Sequence, residues 1–220
     1  IDWDEDCVLW MGMDDVDGSG NPLDSSTYSN DGTASADATQ TTAGQFGDAF
    51  TFDGTGDVID LGNDADFDFD DTTDFSISAW VYKENSTDQA GVISKGYGGA
   101  HYTLFYHASG RWQWQISDGT NLGYVYASDA SPDNKWVHLV GVYDSGADVV
   151  KLYVDGSEHT AGAASLGDFS NTVNLRIGRH YYAGLWDGKI DDLIIVKRAL
   201  TATEVAALYD ADTTDPSHTA

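Results

Sequence analysis

Short segments in which apolar and polar residues alternate dominate this chain from Phe75 onward, and they constrain its fold more than any other feature. In WVHLVGVY, which begins at Trp136, every second side chain falls on the same face of an extended strand. Such alternation with β-branched and aromatic residues is typical of half-buried strands. A second segment, VVKLYV, ends at Asp155-Gly156, a dipeptide common in hairpins because Gly readily takes a positive φ. The sequence therefore predicts consecutive antiparallel strands.

Many short strands at near-regular spacing, separated by turn residues, predict a two-sheet sandwich or a barrel. The segments are FSISAWVYK, GVISKG, YTLFYH, RWQWQIS, LGYVYAS, WVHLVGVY, VVKLYVDG, NLRIGR and KIDDLIIVK, with shorter strands predicted at 7–11, 49–52 and 58–61. Sandwiches of about 220 residues are commonly one domain. We place that domain at residues 1–210 and a polar tail or linker at 211–220.

One segment, LTATEVAALYDA, predicts a helix near the C-terminus. Thr201 supplies the side-chain oxygen of an N-cap, and Glu204 follows three residues later, as in a capping box. Leu200, Val205 and Leu208 form an apolar side. The predicted fold class is therefore all-β, with one short C-terminal helix.

The charge of the chain excludes some partners. There are 37 acidic residues against 10 basic residues, and the formal net charge is −27. A field this negative repels phosphate backbones and anionic lipids, so we expect no nucleic-acid partner. No apolar run approaches the ~18 residues of a membrane helix, so we expect no membrane insertion. The acid excess is explained either by solubility in a salty or calcium-rich medium or by carboxylates that hold Ca²⁺.

Six motifs, in order along nearly the whole chain, resemble those of laminin G-like domains in the concanavalin A-like lectin/glucanase superfamily, and more narrowly the LamG-like jelly-roll modules. They are DSSTYSNDG at 24–32, GQFGDAFTFDGTGDVIDLG at 44–62, FSISAWVY at 75–82, the hairpin segment at 136–156, LRIGR at 175–179 and WDGKIDDLIIVKRALTATEVAALY at 186–209. The resemblance implies a two-sheet antiparallel jelly-roll sandwich. It also implies that Trp136 is a core anchor and that His138 is a structural, hydrogen-bonded residue.

The resemblance further implies a structural Ca²⁺ that ties the N-terminal turn to a late strand. The matching ligands are Asp24, Asn30 and Asp191, whose oxygens suit Ca²⁺. Alternatively, Asp24 and Asp31 make Asx turns and Asp191 caps its strand. DVDGSG at 15–20 is similar to the start of an EF-hand loop, but Ser26 stands where that loop needs Glu.

We expect no catalysis, although the superfamily includes enzymes. Retaining glycosidases need two carboxyls ~5 Å apart, and the E-x-D-x-E pattern that supplies them in laminarinase-like enzymes does not occur. Asp66, Asp68 and Asp70 have suitable spacing but lie in a segment that is predicted to be a solvated loop. The motifs of alginate lyases, serine hydrolases and zinc proteases are also absent from the sequence.

Sugar binding needs aromatic rings beside amide or carboxylate groups, and two regions supply them. In RWQWQIS the resemblance implies that the tryptophans face the core, because the family keeps apolar residues at those positions, and this leaves the glutamines on the outer face. HYY at 180–182 and a Gly-rich segment supply rings in loops, where function is common. The candidate carbohydrate-binding residues are Tyr97, His101, Phe105, Gln113, Gln115, His180, Tyr181 and Tyr182.

The predicted function is therefore a non-catalytic carbohydrate-binding or adhesion module of a secreted or cell-surface protein. Its expected partner is a glycan or a surface protein, and further domains or subunits are expected beside it. One alternative is a structural building block of an extracellular appendage, filament or virion. A polysaccharide hydrolase or lyase is the third.

Overall fold

A computed structural model describes residues 6–84, 89–96, 98–128, 132–180 and 184–210, with the backbone alone at 160–163. These residues form fifteen strands, a short 3₁₀ turn at Ala65–Phe67 and one α-helix. The strands are β1 (Cys7–Met11), β2 (Thr33–Ser35), β3 (Thr39–Thr41), β4 (Ala49–Asp53), β5 (Val58–Asp60), β6 (Phe75–Lys83), β7 (Ala90–Gly96), β8 (Ala100–His107), β9 (Arg111–Asp118), β10 (Leu122–Tyr126), β11 (Trp136–Asp144), β12 (Val149–Val154), β13 (Ser157–Ala163), β14 (Leu175–Ile177) and β15 (Asp187–Val196), and the helix is α1 (Ala202–Tyr209).

The strands pair antiparallel in two sheets. The eight-stranded sheet has the order β13-β12-β11-β6-β15-β4-β3, with β1 also paired to β15. The seven-stranded sheet has the order β10-β9-β8-β7-β14-β5-β2. The predicted all-β, two-sheet antiparallel jelly-roll sandwich with a short C-terminal helix is confirmed. Strands β2, β3 and β13 were not predicted.

Alternation along each strand decides which side chains fill the space between the sheets. On β9, Trp112 and Trp114 are buried in the core as predicted. The Trp114 indole donates to the carbonyl of Val142 (3.1 Å) on the opposite sheet. Its ring lies against Gly141, where an added Cβ would come within 2.6 Å of it. The absence of a side chain at Gly141 therefore lets the two sheets approach closely at Trp114.

The helix and the hairpin follow their predicted local chemistry. The Thr201 side chain accepts from the backbone N–H of Glu204, and the Glu204 carboxylate accepts from the N–H of Thr201, which completes the capping box. Between β12 and β13, Asp155 and Gly156 have φ values of 48° and 74°, as expected for a type I′ turn.

The outer face of the eight-stranded sheet carries a second apolar cluster, in which Val140 of β11 packs with Val205 of α1. His138 also points to this side, where it is buried, and its Nε2 is hydrogen-bonded to Ser78 Oγ at 2.8 Å. Burial lowers the His138 pKa to about 3, so the ring is a neutral structural group.

Trp136 is not the core anchor that we expected. It lies half-buried on the outer face of the same sheet, edge-to-face with the Tyr82 ring at 5.5 Å. Alternation places Val137 inward instead, and Val137 is part of the core.

Gly141→Ala should destabilise the fold by about 1–3 kcal/mol, because the new methyl group overpacks the Trp114 ring. Gly18→Ala is the matched control, since a Cβ at Gly18 meets no atom within 4 Å. Chemical denaturation of both variants checks this. If the two variants were equally stable, the added methyl group at position 141 would be accommodated, and the contact between the sheets at Trp114 would not be tight.

Candidate functional site

The outward side chains of β8, β9 and β10, together with His180, form a surface that we call the aromatic face. Strand register places Gln113 between Phe105 and Tyr126 on the neighbouring strands, and Gln115 next to Tyr124. Adjacent strands lie about 4.8 Å apart, so these rings and amides are close neighbours. The aromatic face consists of His101, Phe105, His107, Arg111, Gln113, Gln115, Tyr124, Tyr126 and His180.

Five rings form a continuous row across this face. His180 stacks on Phe105 with ring centroids 4.3 Å apart. The row continues from Phe105 to His107 (6.1 Å), from His107 to Tyr126 (5.1 Å) and from Tyr126 to Tyr124 (5.4 Å). Tyr124 is 45% exposed, whereas Phe105 is 2% exposed. A ligand can therefore reach the row of rings at Tyr124 on β10, whereas the part of the row at Phe105 is already covered by the protein.

The position of His180 depends on a glycine. A Cβ at Gly91 would lie 2.1 Å from the backbone carbonyl carbon of Arg179 and the backbone nitrogen of His180. The backbone at 179–180 therefore passes directly over β7, which only a residue without a side chain permits. Gly91 pairs with Phe105, so this crossing brings the imidazole onto the Phe105 ring.

Three polar side chains on the aromatic face form a hydrogen-bonded chain, which we call the amide relay. Gln113 Nε2 donates to Gln115 Oε1 at 2.8 Å. Gln115 Nε2 contacts His101 Nε2 at 2.7 Å, and His101 Nδ1 contacts the carbonyl oxygen of Gly99 at 2.8 Å. Burial lowers the pKa of His101, which keeps the ring neutral. Gln113 is 3% exposed, and its carbonyl oxygen has no hydrogen-bond partner.

The predicted calcium ligand Asp24 has both carboxylate oxygens engaged by donors. Oδ1 accepts from the N–H groups of Trp10 and Ser26, and Oδ2 accepts from Ser26 Oγ and the N–H of Asn30, all at 2.7–2.9 Å. The Asn30 side chain donates to the carbonyl of Val8. This arrangement is an Asx-type turn, and none of its hydrogen bonds involves Asp191.

Asp191 lies instead beside a second buried carboxylate at a bulge of β15. Its Oδ2 accepts from the N–H groups of Gln45 (2.7 Å) and Phe46 (3.0 Å), and its Oδ1 accepts from the N–H of Asp192 (2.8 Å). Asp191 is 0% and Asp192 6% exposed, and Asp192 Oδ2 has no hydrogen-bond partner. Burial raises the pKa of both groups, and neighbouring carboxylates raise it further.

Asp14 completes this carboxylate group from the N-terminal side. A Cβ built on Gly12 would lie 3.7 Å from both Asp14 Oδ2 and Asp192 Oδ1, so the two carboxylates flank the same point of the backbone. Within the described ranges, no group of three or more His, Cys, Asp or Glu is arranged to hold a metal ion. Two carboxylates supplemented by backbone carbonyls are still a reasonable Ca²⁺ donor set. The orphaned oxygen of Asp192 fits that ion better than Asp24 does.

The remaining acidic candidates have structural partners. Asp66 pairs with Lys197 (2.8 Å), Asp68 accepts from the N–H of Asn171 (2.8 Å), and Asp70 accepts from the hydroxyls of Thr72 and Thr73. In the EF-hand-like segment, Asp17 accepts from the N–H groups of Ser19 and Asn21 and closes its own turn. Among the described residues, no helix is long and apolar enough to cross a membrane.

The laminin G-type model of the concanavalin A-like lectin/glucanases superfamily matches residues 53–206, more than half of the chain. The chain belongs to this superfamily. No curated protein matches it. Within the superfamily fold, its sandwich is similar to several solved binding domains.

Three of these solved structures illustrate the similarity in fold. The binding domain of Paraclostridial Mosquitocidal Protein 1 has a TM-score of 0.76 and 16% identity, over 94% of this chain and 52% of that one. Domain 4 of AbnA, a GH43 extracellular arabinanase from Geobacillus stearothermophilus, was solved with arabinotriose. It has a TM-score of 0.72 and 19% identity, over 93% of this chain and 98% of that one. The binding domain of botulinum neurotoxin serotype G has a TM-score of 0.69 and 18% identity, over 92% and 50%. The chain thus spans about half the length of the two toxin domains.

The structure brings five predicted carbohydrate-binding residues of this superfamily member onto one face: His101, Phe105, Gln113, Gln115 and His180. Tyr97, Tyr181 and Tyr182 lie outside the described residues. Sequence reasoning missed Tyr124 and Tyr126. Alternation in LGYVYAS could have found them, because Gly123 and Val125 point inward.

Between about pH 5 and pH 8, in EDTA, the free energy of unfolding should fall as the pH rises. The folded carboxyls of Asp191 and Asp192 hold protons more tightly than the unfolded ones, whose pKa is 3.8. The unfolded state therefore binds fewer protons in this window, and stability falls by up to ~1.4 kcal/mol per pH unit for each proton. Urea denaturation across the pH range measures the slope.

Asp192→Asn should flatten this dependence, and Asp15→Asn, the loss of an exposed carboxylate nearby, should preserve it. A wild-type protein equally stable at both ends of the range would contradict the buried, protonated pair.

Proposed function

We propose that this chain is a non-catalytic glycan-binding module of a secreted or cell-surface protein, and that its ligand binds on the aromatic face. The observation that carries the proposal is the exposed Tyr124 ring at the end of a row of rings lined by Gln113 and Gln115. Pyranose and furanose rings offer apolar C–H surfaces to aromatic rings and hydroxyl groups to amides. Sites of this kind combine an apolar lining with a few placed polar groups.

The comparisons support a binding role in general terms. The similar solved structures are binding domains of toxins and a domain of an extracellular arabinanase solved with arabinotriose. At 16–19% identity, this likeness concerns the fold alone. The ligand, the adhesive role, the extracellular location and the presence of further domains are therefore parts of our proposal.

The chemistry of the aromatic face favours binding over hydrolysis. Glycoside hydrolysis uses two carboxyl groups that flank the scissile bond. The residues that define the aromatic face are histidine, phenylalanine, tyrosine, arginine and glutamine, and none of these supplies a carboxyl group.

Tyr124→Ala and Tyr126→Ala should each weaken glycan binding about tenfold, because each removes an aromatic contact from the accessible end of the row. Tyr28→Ala is the control. Tyr28 is exposed to a similar degree, at 36% against 45% for Tyr124, but belongs to the N-terminal turn. A glycan array on the wild type, followed by calorimetry with arabinotriose and the best array ligand, makes the comparison. Binding that survives both substitutions, or no binding to any glycan, would refute this site.

We also propose that a structural Ca²⁺ is held by Asp192 and Asp14, close to Asp191. The ion would supply positive charge to carboxylates that burial otherwise drives toward protonation. It would also connect the segment after β1 to β15. The orphaned Asp192 oxygen supports this ligand set over Asp24 and Asn30, whose polar groups already have partners.

Chelation should lower the melting temperature on the order of 5–10 °C, because a hundredfold excess of ligand over Kd stabilises the folded state by about 2.7 kcal/mol. Asp192→Asn should abolish this difference, and Asp15→Asn should leave it unchanged. Thermal denaturation in CaCl₂ and in EDTA tests both variants. If Asp24→Asn rather than Asp192→Asn removed the response, the ligands would be those of the N-terminal turn.

A further inference from the structure

We infer that the carbonyl oxygen of Gln113 is the specificity-determining contact of the aromatic face, and that it selects neutral sugars by accepting a hydrogen bond from one hydroxyl group. This inference rests on the proposed glycan-binding function and deepens it. It depends on the direction of the amide relay, which can be worked out from one end to the other.

The carbonyl oxygen of Gly99 determines the direction of the hydrogen bonds along the amide relay. This oxygen can only accept, so the His101 Nδ1 at 2.8 Å must donate. A neutral imidazole carries one N–H, and burial keeps His101 neutral by lowering its pKa. His101 Nε2 therefore accepts, and the nitrogen at 2.7 Å from it must be the amide Nε2 of Gln115.

The same logic orients the second amide. With Gln115 Nε2 turned toward His101, Gln115 Oε1 points to Gln113 and can only accept. Gln113 therefore presents its Nε2 to Gln115, at 2.8 Å, and its own Oε1 is left at the far end. Reversing either amide would bring two acceptors or two donors together. The relay thus ends in an acceptor, and not in a donor.

That terminal acceptor has no partner. Gln113 is 3% exposed, and its Oε1 is buried without a hydrogen bond. A buried carbonyl left unpaired costs on the order of 1–3 kcal/mol, and native proteins leave few such groups. Departures from full satisfaction are expected at functional sites. A hydroxyl group that arrives with the ligand would remove this cost.

The neighbours of Gln113 match a sugar. Strand register places Phe105 on one side and the half-buried Tyr126 of the edge strand on the other. Because Oε1 is buried in the unliganded protein, a neighbouring side chain must move to admit a hydroxyl group, and a sugar ring that stacks on Tyr126 would replace the lost packing. A carboxylate at this position would meet an acceptor instead of a donor, in a chain of net charge −27. Arg111 is the residue of the aromatic face that would attract a ligand carboxylate. Its guanidinium lies 4.9 Å over the Tyr126 ring.

Calorimetry at pH 7 tests the inference with arabinotriose, xylotriose, cellotriose, laminaritriose and trigalacturonic acid. Wild type should bind at least one neutral trisaccharide and bind trigalacturonic acid at least tenfold more weakly. Gln113→Leu should lose about tenfold in affinity for the neutral ligand, as expected for one hydrogen bond. Tyr102→Phe is the matched control: it removes a buried hydroxyl from the core side of the neighbouring strand β8, and its affinity should equal that of wild type.

Deoxygenated ligands separate recognition from a structural role of Gln113. One monodeoxy analogue of the best neutral trisaccharide should bind wild type about tenfold more weakly and bind Gln113→Leu no more weakly than the parent sugar does. Such non-additivity shows that the side chain and the hydroxyl interact. A loss of folding alone would weaken both ligands equally.

Each outcome decides. Equal affinity of Gln113→Leu and wild type, additive losses, or a preference for trigalacturonic acid would overturn the inference and leave glycan binding intact. If the array and all five probes showed no binding, the proposed function would fail, and the inference would fail with it.

Discussion

The hydrogen bond from a loop N–H to an aspartate carboxylate is the interaction on which the connections of this structure depend. In eight places within the described part of the chain, the carboxylate accepts from the residue two positions further along, at 2.6–3.0 Å. These aspartates are Asp17, Asp24, Asp53, Asp60, Asp64, Asp70, Asp118 and Asp168. The side chain of Asp is short enough to bond backbone this close by. Part of the acid excess thus builds turns, in agreement with the preference of Asp for turns and loops. The donors lower the pKa of Asp17, Asp70 and Asp118, so the stability they supply is lost as the pH falls through those folded values.

Local chemistry in the sequence predicted the hairpin at Asp155 and the capped helix, because each depends on residues close together in the chain. The inward tryptophans of β9 were predicted from the family resemblance. Strand β13 was missed, since SEHTAGA has little apolar alternation and forms an edge of its sheet. Trp136 was expected in the core because the family resemblance implied it, and alternation could not correct that expectation. Period two separates two faces without identifying the core, and β11 is apolar on both because α1 covers its outer side.

Part of the candidate site was also predicted from the sequence. The family resemblance placed the tryptophans of β9 in the core, and alternation then placed Gln113 and Gln115 outward, as they are in the structure. Alternation could not show that Asp192, next to the predicted Asp191, meets Asp14 across more than half of the chain, because that approach depends on the pairing of β1 with β15. Nor could it distinguish a carboxylate that its own turn occupies, such as Asp24, from one left with an orphaned oxygen. In the sequence both residues are aspartates in acidic segments, and only the hydrogen-bond partners of their carboxylate oxygens distinguish them.

The two sheets differ in what lies on their outer faces, and the proposed position of the ligand follows from this difference. The eight-stranded sheet packs α1 against Val140 and Val142, so the chain itself fills that surface. The seven-stranded sheet has no such helix in the described residues, and its outer face mixes rings with an amide relay. A relay of this kind is costly to bury unless every group is satisfied, and here the unsatisfied group belongs to Gln113, which lies beside the half-buried Tyr126 of the edge strand. The carboxylate group of Asp14, Asp191 and Asp192 belongs to the other sheet and the first loop. In our proposal, stability and recognition therefore depend on different parts of the sandwich, so changes to the aromatic face should alter ligand choice without disturbing the turns that hold the fold together.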